Sequence, residues 1–377
     1  MALVTHAAQT VPVRFEGIPY VRIGSATPRL DDHPDRERNL LTLLSATTFE
    51  DDTAVEHLGD EEMFELLDVE GALRLLGQVV QGNPATQLQQ LSRFGVIEAM
   101  GGGFWSVSKG GAILFARDLR SFGLPYERKA PRVVHYVGET RVRTLREQTG
   151  QRGYAIAFEG LVSYIERQLP HREILVGVTR REQGVYPLVA VRELVANALV
   201  HQDLSIRGAG PMIELFDGRV EISNPGPPLV EVDRLLDEPP RSRNERIGRL
   251  MRQIGYCEER GSGIDKVITL AEEYQLPPPE CDVHQQSFRA TLYGPRGFED
   301  MTTEERLRAC YQHACLLWVA GRRPMTNSTL RERLGLPSNR AAVISRLFTE
   351  ATTFGLIKRA DPSNQSRAQA SYVPYWA

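Results

Sequence analysis

The stretch Val191–His201 constrains the fold of this chain most, because it combines an apolar helical stripe with two polar groups on one face. Its apolar residues recur at the three- and four-residue spacing of a helix that packs against a core. Glu193 and Asn197 lie one turn apart, so a carboxylate and an amide share a face. Oxygen ligands of this kind can hold a Mg²⁺ ion, and the bound ion can polarise a water for attack on a phosphate. The stretch predicts a buried helix that carries either such a site or, as the plainer alternative, a solvent-facing Glu.

Two glycine turns follow this helix. Alternating segments on either side of Asp217-Gly218 predict a β-hairpin, and its second strand runs into Asn224-Pro225-Gly226. A polar, arginine-rich stretch over residues 241–252 comes next, and Gly261-Ser262-Gly263 then precedes a helix predicted over Ile264–Tyr274. Glycines before a helix let backbone N–H groups approach an anion. One such turn indicates little by itself, whereas the ordered set is specific.

This ordered set resembles the Bergerat, or GHKL, ATP-binding fold of type II topoisomerases, MutL and histidine kinases. More closely, it resembles the divergent RecG-C-terminal-like branch, found in Schlafen/AlbA-type transcriptional regulators. It spans roughly residues 130–295 and is carried by Arg192–Asp203, Ile222–Gly226, Arg243-Asn244 and Glu258–Ile264. The resemblance therefore implies a divergent GHKL-type domain in this part of the chain.

The resemblance implies that Glu193 is the water-activating base, that Asn197 is the Mg²⁺ ligand, and that ATP and Mg²⁺ are the cofactors. It implies nucleotide contacts at Asn197, Asn224, Gly226, Gly261, Ser262 and Gly263. Where the standard fold has an aspartate for the adenine amino group, this chain has Asn224, whose amide oxygen accepts without charge. A nucleotide-binding regulator, an active ATPase and a scaffold with a degenerate pocket all stay open.

Length and composition indicate an ordinary globular chain of several domains. The 377 residues carry a net charge of −3 and contain no run of about eighteen apolar residues. The first residues lack the basic-then-apolar pattern of a signal peptide, so we expect a cytoplasmic protein with no membrane partner. Cys310, His313 and Cys315 invite a metal site. Packing is favoured, because Cys315 is rotated away on a helix and a fourth ligand is missing.

The first 125 residues predict two units. Residues 1–30 are interpreted as residual AlbA-like strands, since Tyr20–Ser25 resembles the closing strand of an AlbA-type domain whose upstream part is missing; a supporting surface hairpin is the alternative. Residues 31–125 contain three predicted helices, Glu61–Leu67, Val69–Val80 and Thr86–Phe94, followed by a hairpin. This is the order of a winged helix. Its third helix has a single cation, so an architectural or protein-contact role is favoured over DNA binding.

Residues 126–297 are assigned to the GHKL-like domain, and residues 298–377 to a C-terminal winged helix. The segment 301–377 has eleven Lys and Arg against five Asp and Glu, a local charge of +6. A third helix is predicted from a cap at Ser338 to Phe354. We expect DNA contacts on this helix and on the wing, at Asn339, Arg340, Arg346, Lys358, Arg359 and Arg367. Dimer contacts are the alternative use of this module.

The sequence therefore predicts an α+β, multi-domain protein in which a GHKL-like α/β sandwich is flanked by winged-helix modules. The favoured function is a DNA-binding transcriptional regulator whose ATP-bound state is coupled to domain or dimer arrangement, and we expect a homodimer. The alternatives are an active GHKL-type ATPase in a DNA-processing or phage-defence system, with weak Mg²⁺-dependent turnover, and a non-catalytic scaffold. No Gly-x-x-x-x-Gly-Lys-Ser/Thr loop occurs, so a helicase or P-loop NTPase is not indicated.

Overall fold

The chain is a mixed α and β protein with several separate sheets, as the sequence predicts. The computed structural model describes residues 12, 14–23, 26–38, 40, 48–176, 179–239, 241–257, 263–363 and 369–377. Gly261, Ser262 and Arg367, three of the predicted contact residues, lie outside these ranges. Within them, no helix is both long enough and apolar enough to cross a membrane.

A short hairpin comes first, with strands β1 (Arg14–Phe15) and β2 (Ile18–Pro19) around a turn at Glu16 and Gly17. Glu16 and Gly17 both have positive φ, at 50° and 81°. Two central residues of this kind form the mirror-image turn that matches the twist of paired strands.

The next unit contains the three predicted helices and the predicted hairpin. Its elements are β3 (Thr53–Leu58), α1 (Asp60–Leu66), α2 (Val69–Leu75), α3 (Pro84–Ser92), β4 (Ile97–Gly101) and β5 (Phe104–Ser108), with sheet order β3-β5-β4. The expectation that the second helix continues to Val80 is wrong. Gly77 has a φ of 72°, and the amide of Gln78 donates to the carbonyl of Leu73, which closes the helix with a Schellman-type turn.

Two short helices and a long one lead into the central domain: α4 (Lys109–Phe115), α5 (Leu124–Glu127) and α6 (Tyr154–Glu166). Gly111 of α4 has a packing role, because a Cβ there would lie 2.3 Å from the carbonyl oxygen of Val96. The hydrophobic core is continuous from Leu58 to Leu292, so this unit and the central domain share one interior.

A six-stranded sheet forms the scaffold of the central domain. Its strands are β6 (Arg132–Tyr136), β7 (Thr144–Thr149), β10 (Met212–Leu215), β11 (Arg219–Pro225), β12 (Glu280–His284) and β13 (Ser287–Tyr293), in the order β12-β13-β11-β10-β6-β7. Only β6 and β10 pair in parallel. The chain between them passes through α6, a separate hairpin of β8 (His171–Val176) and β9 (Thr179–Gly184), and helix α7 (Leu188–His201).

Two further helices belong to this domain, α8 (Glu245–Ile254) and α9 (Gly263–Glu273). The polar, arginine-rich stretch over residues 241–252 also contributes apolar residues to the core. Ile247, Leu250 and Met251 are buried, at the i, i+3, i+4 spacing of a core-facing helix.

The C-terminal module has its own small core. Its elements are α10 (Thr303–Gly321), β14 (Met325–Thr326), α11 (Asn327–Arg333), α12 (Ala341–Thr353), β15 (Ile357–Arg359) and β16 (Ser371–Pro374), with sheet order β14-β16-β15. The predicted third helix is present as α12, and Thr326 caps α11 through its side chain. Ser338 does not cap α12; residues Ser338–Arg340 form a 3-10 turn before it.

Candidate functional site

The predicted polar face of α7 borders the central cavity, which has a volume of about 1300 Å³. The cavity is lined by parts of α7, the end of β11, residues 228–246, α8 and the start of α9. Glu193 is only 3% exposed, and Asn197 is half-buried. Most apolar residues of α7 are buried, and three of them, Leu194, Ala198 and Val200, also line the cavity. Both the carboxylate and the amide therefore border one partly enclosed cavity, in place of the solvent-facing alternative.

The start of α9 lies against Glu193. A Cβ added to Gly263 would sit 2.4 Å from Oε1 of Glu193. This is closer than real Cβ atoms come, so a side chain at position 263 would displace the carboxylate. The glycine predicted for a phosphate turn thus also sets the position of the predicted base.

The other turn, at the end of β11, packs against the residues that follow α7. Gly226 has a φ of 91°, and a Cβ there would lie 2.6 Å from Cβ of Asp203. The amide of Asp203 donates to the carbonyl of Pro225 at 2.7 Å. Asn224 is 4% exposed, and its Nδ2 donates to the same carbonyl at 3.2 Å. The turn needs glycine for its conformation and for this close approach.

The predicted base Glu193 and the predicted nucleotide-contacting residues within the described ranges all line this cavity: Glu193, Asn197, Asn224, Gly226 and Gly263. They come from three separate segments of the chain. Their convergence is a property of the fold, because α7 packs against β11 and α9 packs against α7.

His201, at the end of α7, is a cavity residue that sequence reasoning missed. Burial, followed by the positive charges of Arg252 and Arg243, lowers the pKa of its imidazole to about 4, against a small opposing effect of a hydrogen bond to the backbone of Arg241. The imidazole is therefore neutral at physiological pH. In the sequence, His201 is one histidine at the end of a predicted helix. Such a residue is common, so its position alone does not indicate a cavity residue.

Asn244 joins the two helices that enclose this side of the cavity. It is 2% exposed, and its Nδ2 donates to the carbonyls of Val200 and Gln202, both at 2.8 Å. These carbonyls belong to the end of α7, which otherwise leaves acceptors without intrahelical partners. Asn244 itself directly precedes α8, so one buried amide fixes where α8 begins relative to α7.

A second missed contribution comes from far earlier in the chain. Glu50 is 1% exposed, and its carboxylate accepts the amides of Arg246 at 2.7 Å and Ile247 at 2.8 Å. It therefore caps the N-terminus of α8. Burial raises the pKa of Glu50, and these two hydrogen bonds oppose the rise. Asp51 forms an ion pair with Arg246 at 2.7 Å. No sequence periodicity marks this contact, because it joins segments almost two hundred residues apart.

The predicted DNA-contacting residues lie on the C-terminal module in different environments. Asn339, Arg346 and Lys358 are exposed, and Arg359 is half-buried. Arg340 forms an ion pair with Glu299, so a phosphate would have to compete with that carboxylate.

The two cysteines and the histidine that invite a metal site lie in different environments. Cys310 is buried in the core of the C-terminal module, whereas Cys315 packs with Leu236, Ile268 and Tyr311. His313 contacts Glu272 through Nδ1 at 3.0 Å.

Comparison with known proteins adds two observations. Residues 208–292 match the family model described as "Putative ATP-dependent DNA helicase recG C-terminal". The match includes both glycine-containing segments and begins after the end of α7. Glu193 and Asn197 therefore lie outside it. The crystal structure of the DIP2311 protein from Corynebacterium diphtheriae is similar in fold, with a TM-score of 0.55 and 14% identity over 95% of this chain and 70% of that one. No curated protein matches the chain. The matched residues, which include the strands from β10 to β13, support an ATPase-like domain.

Proposed function

We propose that this chain is a DNA-binding regulator that binds ATP with Mg²⁺ in the central cavity and transmits the bound state to its C-terminal module. The observation that carries the proposal is the convergence of the predicted base and four predicted contact residues on a cavity large enough for a nucleotide. The family match over residues 208–292 supports nucleotide binding as the class of activity.

The residues present fit a magnesium ion that arrives with its nucleotide. The described residues contain no group of three His, Cys, Asp or Glu that could hold a metal alone. Mg²⁺ commonly takes only one or two protein oxygens and completes its shell with phosphates and water. Asn197 Oδ1 would be such a ligand, and the bound ion would neutralise phosphate charge. The buried carboxylate of Glu193 lies one turn away, where it could accept a proton from a water.

The lid segment, residues 227–239, supports the transmission step because its two sides face different parts of the molecule. Leu229, Val230 and Leu235 line the cavity. On the other side, the carbonyl of Asp233 accepts a hydrogen bond from the hydroxyl of Tyr311 on α10, at 2.6 Å. A shift of the lid segment when a ligand binds would therefore act directly on the first helix of the C-terminal module.

Helix α9 provides a second connection. It begins at Gly263 beside Glu193 and runs to the ion network at Glu272. That carboxylate lies 3.0 Å from Nδ1 of His313 on α10 and 3.1 Å from Nε of the buried Arg333 on α11. One rigid helix thus joins the cavity to two helices of the module.

We assign the C-terminal module as a winged helix that contacts DNA. Its element order and its sheet order β14-β16-β15 support this assignment, with α12 as the helix that would enter a major groove. The local charge of +6 and the exposed Arg346 and Lys358 support contact with phosphates. A homodimer is a further part of the proposal, and the mass of the protein in solution tests it.

Calorimetric titration of the full-length protein with ATP and Mg²⁺ tests the nucleotide step. We expect Asn197→Ala to abolish binding, while Asn339→Ala, the same substitution on the C-terminal module, leaves it unchanged. If wild type takes up no ATP, the nucleotide role is wrong. DNA affinity is then measured at two salt concentrations with and without ATP. The double variant Arg346→Ala/Lys358→Ala is expected to lose both the binding and its salt dependence.

An active ATPase is the second candidate, favoured by the burial of Glu193 beside Asn197 in the same cavity. Release of phosphate from ATP distinguishes the two. Glu193→Ala removes turnover in an ATPase while nucleotide binding persists. A regulator that only binds the nucleotide shows no phosphate release in either protein.

A further inference from the structure

Several arginine residues line one side of the central cavity. They differ in the ion pairs and hydrogen bonds that their side chains form within the protein. The lining includes Arg241, Arg243, Arg246, Arg249 and Arg252, from the chain before α8 and from α8 itself. They recur every two or three residues, so the pattern visible in the sequence as an arginine-rich stretch becomes one wall of the cavity.

Two of these arginines are committed to the structure. Arg246 forms its ion pair with Asp51 and donates from Nη1 to the carbonyl of Gly95 at 2.7 Å. Arg249 donates from Nη2 to the carbonyl of Phe94 at 3.3 Å. Both guanidinium groups therefore tie α8 to the preceding unit.

Arg252 and Arg243 are not held in this way. Among the residues that the structure describes, Arg252 has no ion pair or hydrogen bond through its side chain. Its Nη1 lies where a Cβ on Gly248 would be only 3.2 Å away, so the glycine makes room for the guanidinium to lie back along α8. Arg243 reaches only a loose contact, 3.9 Å from Nε to the carboxylate of Asp203, which already accepts the hydroxyl and amide of Ser205.

The electrostatic effect of this pair is visible at His201. Both positive charges contribute to the low pKa of its imidazole, so both act on the His201 side of the cavity. Glu238 and Glu245 also border the cavity, and Glu245 is exposed to solvent. Neither carboxylate forms an ion pair with Arg243 or Arg252 within the described part of the chain. Arg252 is held by no carboxylate of the described residues and Arg243 only loosely by Asp203, so both guanidinium groups are suited to an anionic ligand in this partly enclosed space.

We propose that Arg243 and Arg252 form an anion subsite of the central cavity that binds a phosphate group of a polyphosphate ligand. The inference rests on the proposed nucleotide role for the identity of the natural ligand, but the subsite itself requires only the phosphate chemistry. It assigns the α8 wall a part in binding that is separate from the turn before α9. Uncharged nucleosides would gain nothing from it.

Calorimetry on the full-length protein tests this with three probes: inorganic tripolyphosphate, ATP and adenosine. We expect Arg252→Gln and Arg243→Gln each to weaken tripolyphosphate and ATP by about tenfold or more, since charge-assisted hydrogen bonds of this type are worth that much. Adenosine is expected to bind these variants as it binds wild type. The matched control is Arg249→Gln, which removes a guanidinium from the same helix and is expected to leave all three affinities unchanged.

The outcomes separate the subsite from the nucleotide role. Tripolyphosphate binding that depends on Arg252, with no ATP binding, keeps the subsite and removes ATP as its ligand. ATP binding that needs Asn197 and is indifferent to both arginine substitutions overturns the subsite and keeps the nucleotide role. Equal weakening by Arg249→Gln also overturns it, because a diffuse positive field would then explain the result. Should Arg252→Gln unfold, Arg243→Gln and the charge-preserving Arg252→Lys carry the same test.

Discussion

Replacement of His201 by Gln should flatten the pH dependence of stability on the acid side of neutrality. The imidazole titrates at about 6.5 when unperturbed and at about 4 in the folded protein, because burial and two arginines disfavour its charged form. Between these values the unfolded chain binds more protons than the folded one. The free energy of unfolding therefore rises with pH in this window, and the stability is lost as pH falls from 6.5 toward 4.

The size of the effect follows from linkage. With those two pKa values, one histidine accounts for about 2 kcal/mol of stability lost between pH 7 and pH 5. His201 lines the cavity and is only partly buried by accessible area, so solvent screening reduces the expected loss to about 1–2 kcal/mol. Gln cannot ionise, and the variant should lack this contribution altogether.

Urea unfolding followed by circular dichroism, at pH 7 and pH 5, measures the difference. The quantity of interest is the change in unfolding free energy between the two pH values in wild type minus the same change in His201→Gln. Groups common to both proteins cancel in this comparison. A double difference within about 0.5 kcal/mol of zero would refute the reasoning, since it would mean that His201 titrates alike in the folded and unfolded chain.

Three substitutions test the contacts that shape the cavity and its connection to the C-terminal module, each by urea unfolding at pH 7. Glu50→Ala should cost about 2–4 kcal/mol, because two buried amides at the start of α8 lose their acceptor; an unchanged midpoint would show that water replaces it. Gly226→Ala should cost at least about 2 kcal/mol, through its φ of 91° and the clash with Asp203, and near-wild-type stability would contradict the turn geometry. Arg333→Met should cost about 3 kcal/mol, since it leaves Glu272 short of a buried partner; a stabilised variant would mean that desolvation of the arginine outweighs the ion pair.

Local sequence patterns were sufficient for most elements of this chain. The stripe on α7, the hairpin around Asp217 and the helix order of the C-terminal module each depend on residues within about a dozen positions of one another. Predictions failed where a short-range signal was overlooked. Gly77 ends α2 early because only a glycine adopts the left-handed turn there at low cost. The apolar residues of α8 recur at helical spacing, but the arginines between them made the stretch look polar as a whole.

The sequence by itself determined that Glu193 and Asn197 share a helix face and that glycine turns follow, since both are matters of periodicity and backbone freedom. Only the tertiary structure decided what encloses them. Contacts between distant segments place the carboxylate of Glu50 at the N-terminus of α8 and the lid segment against Tyr311. They also decide which arginines of the cavity wall have partners among the described residues and which do not. Such contacts form because folding brings apolar faces together and then pairs the polar groups buried with them, and no local pattern encodes which distant partner that will be.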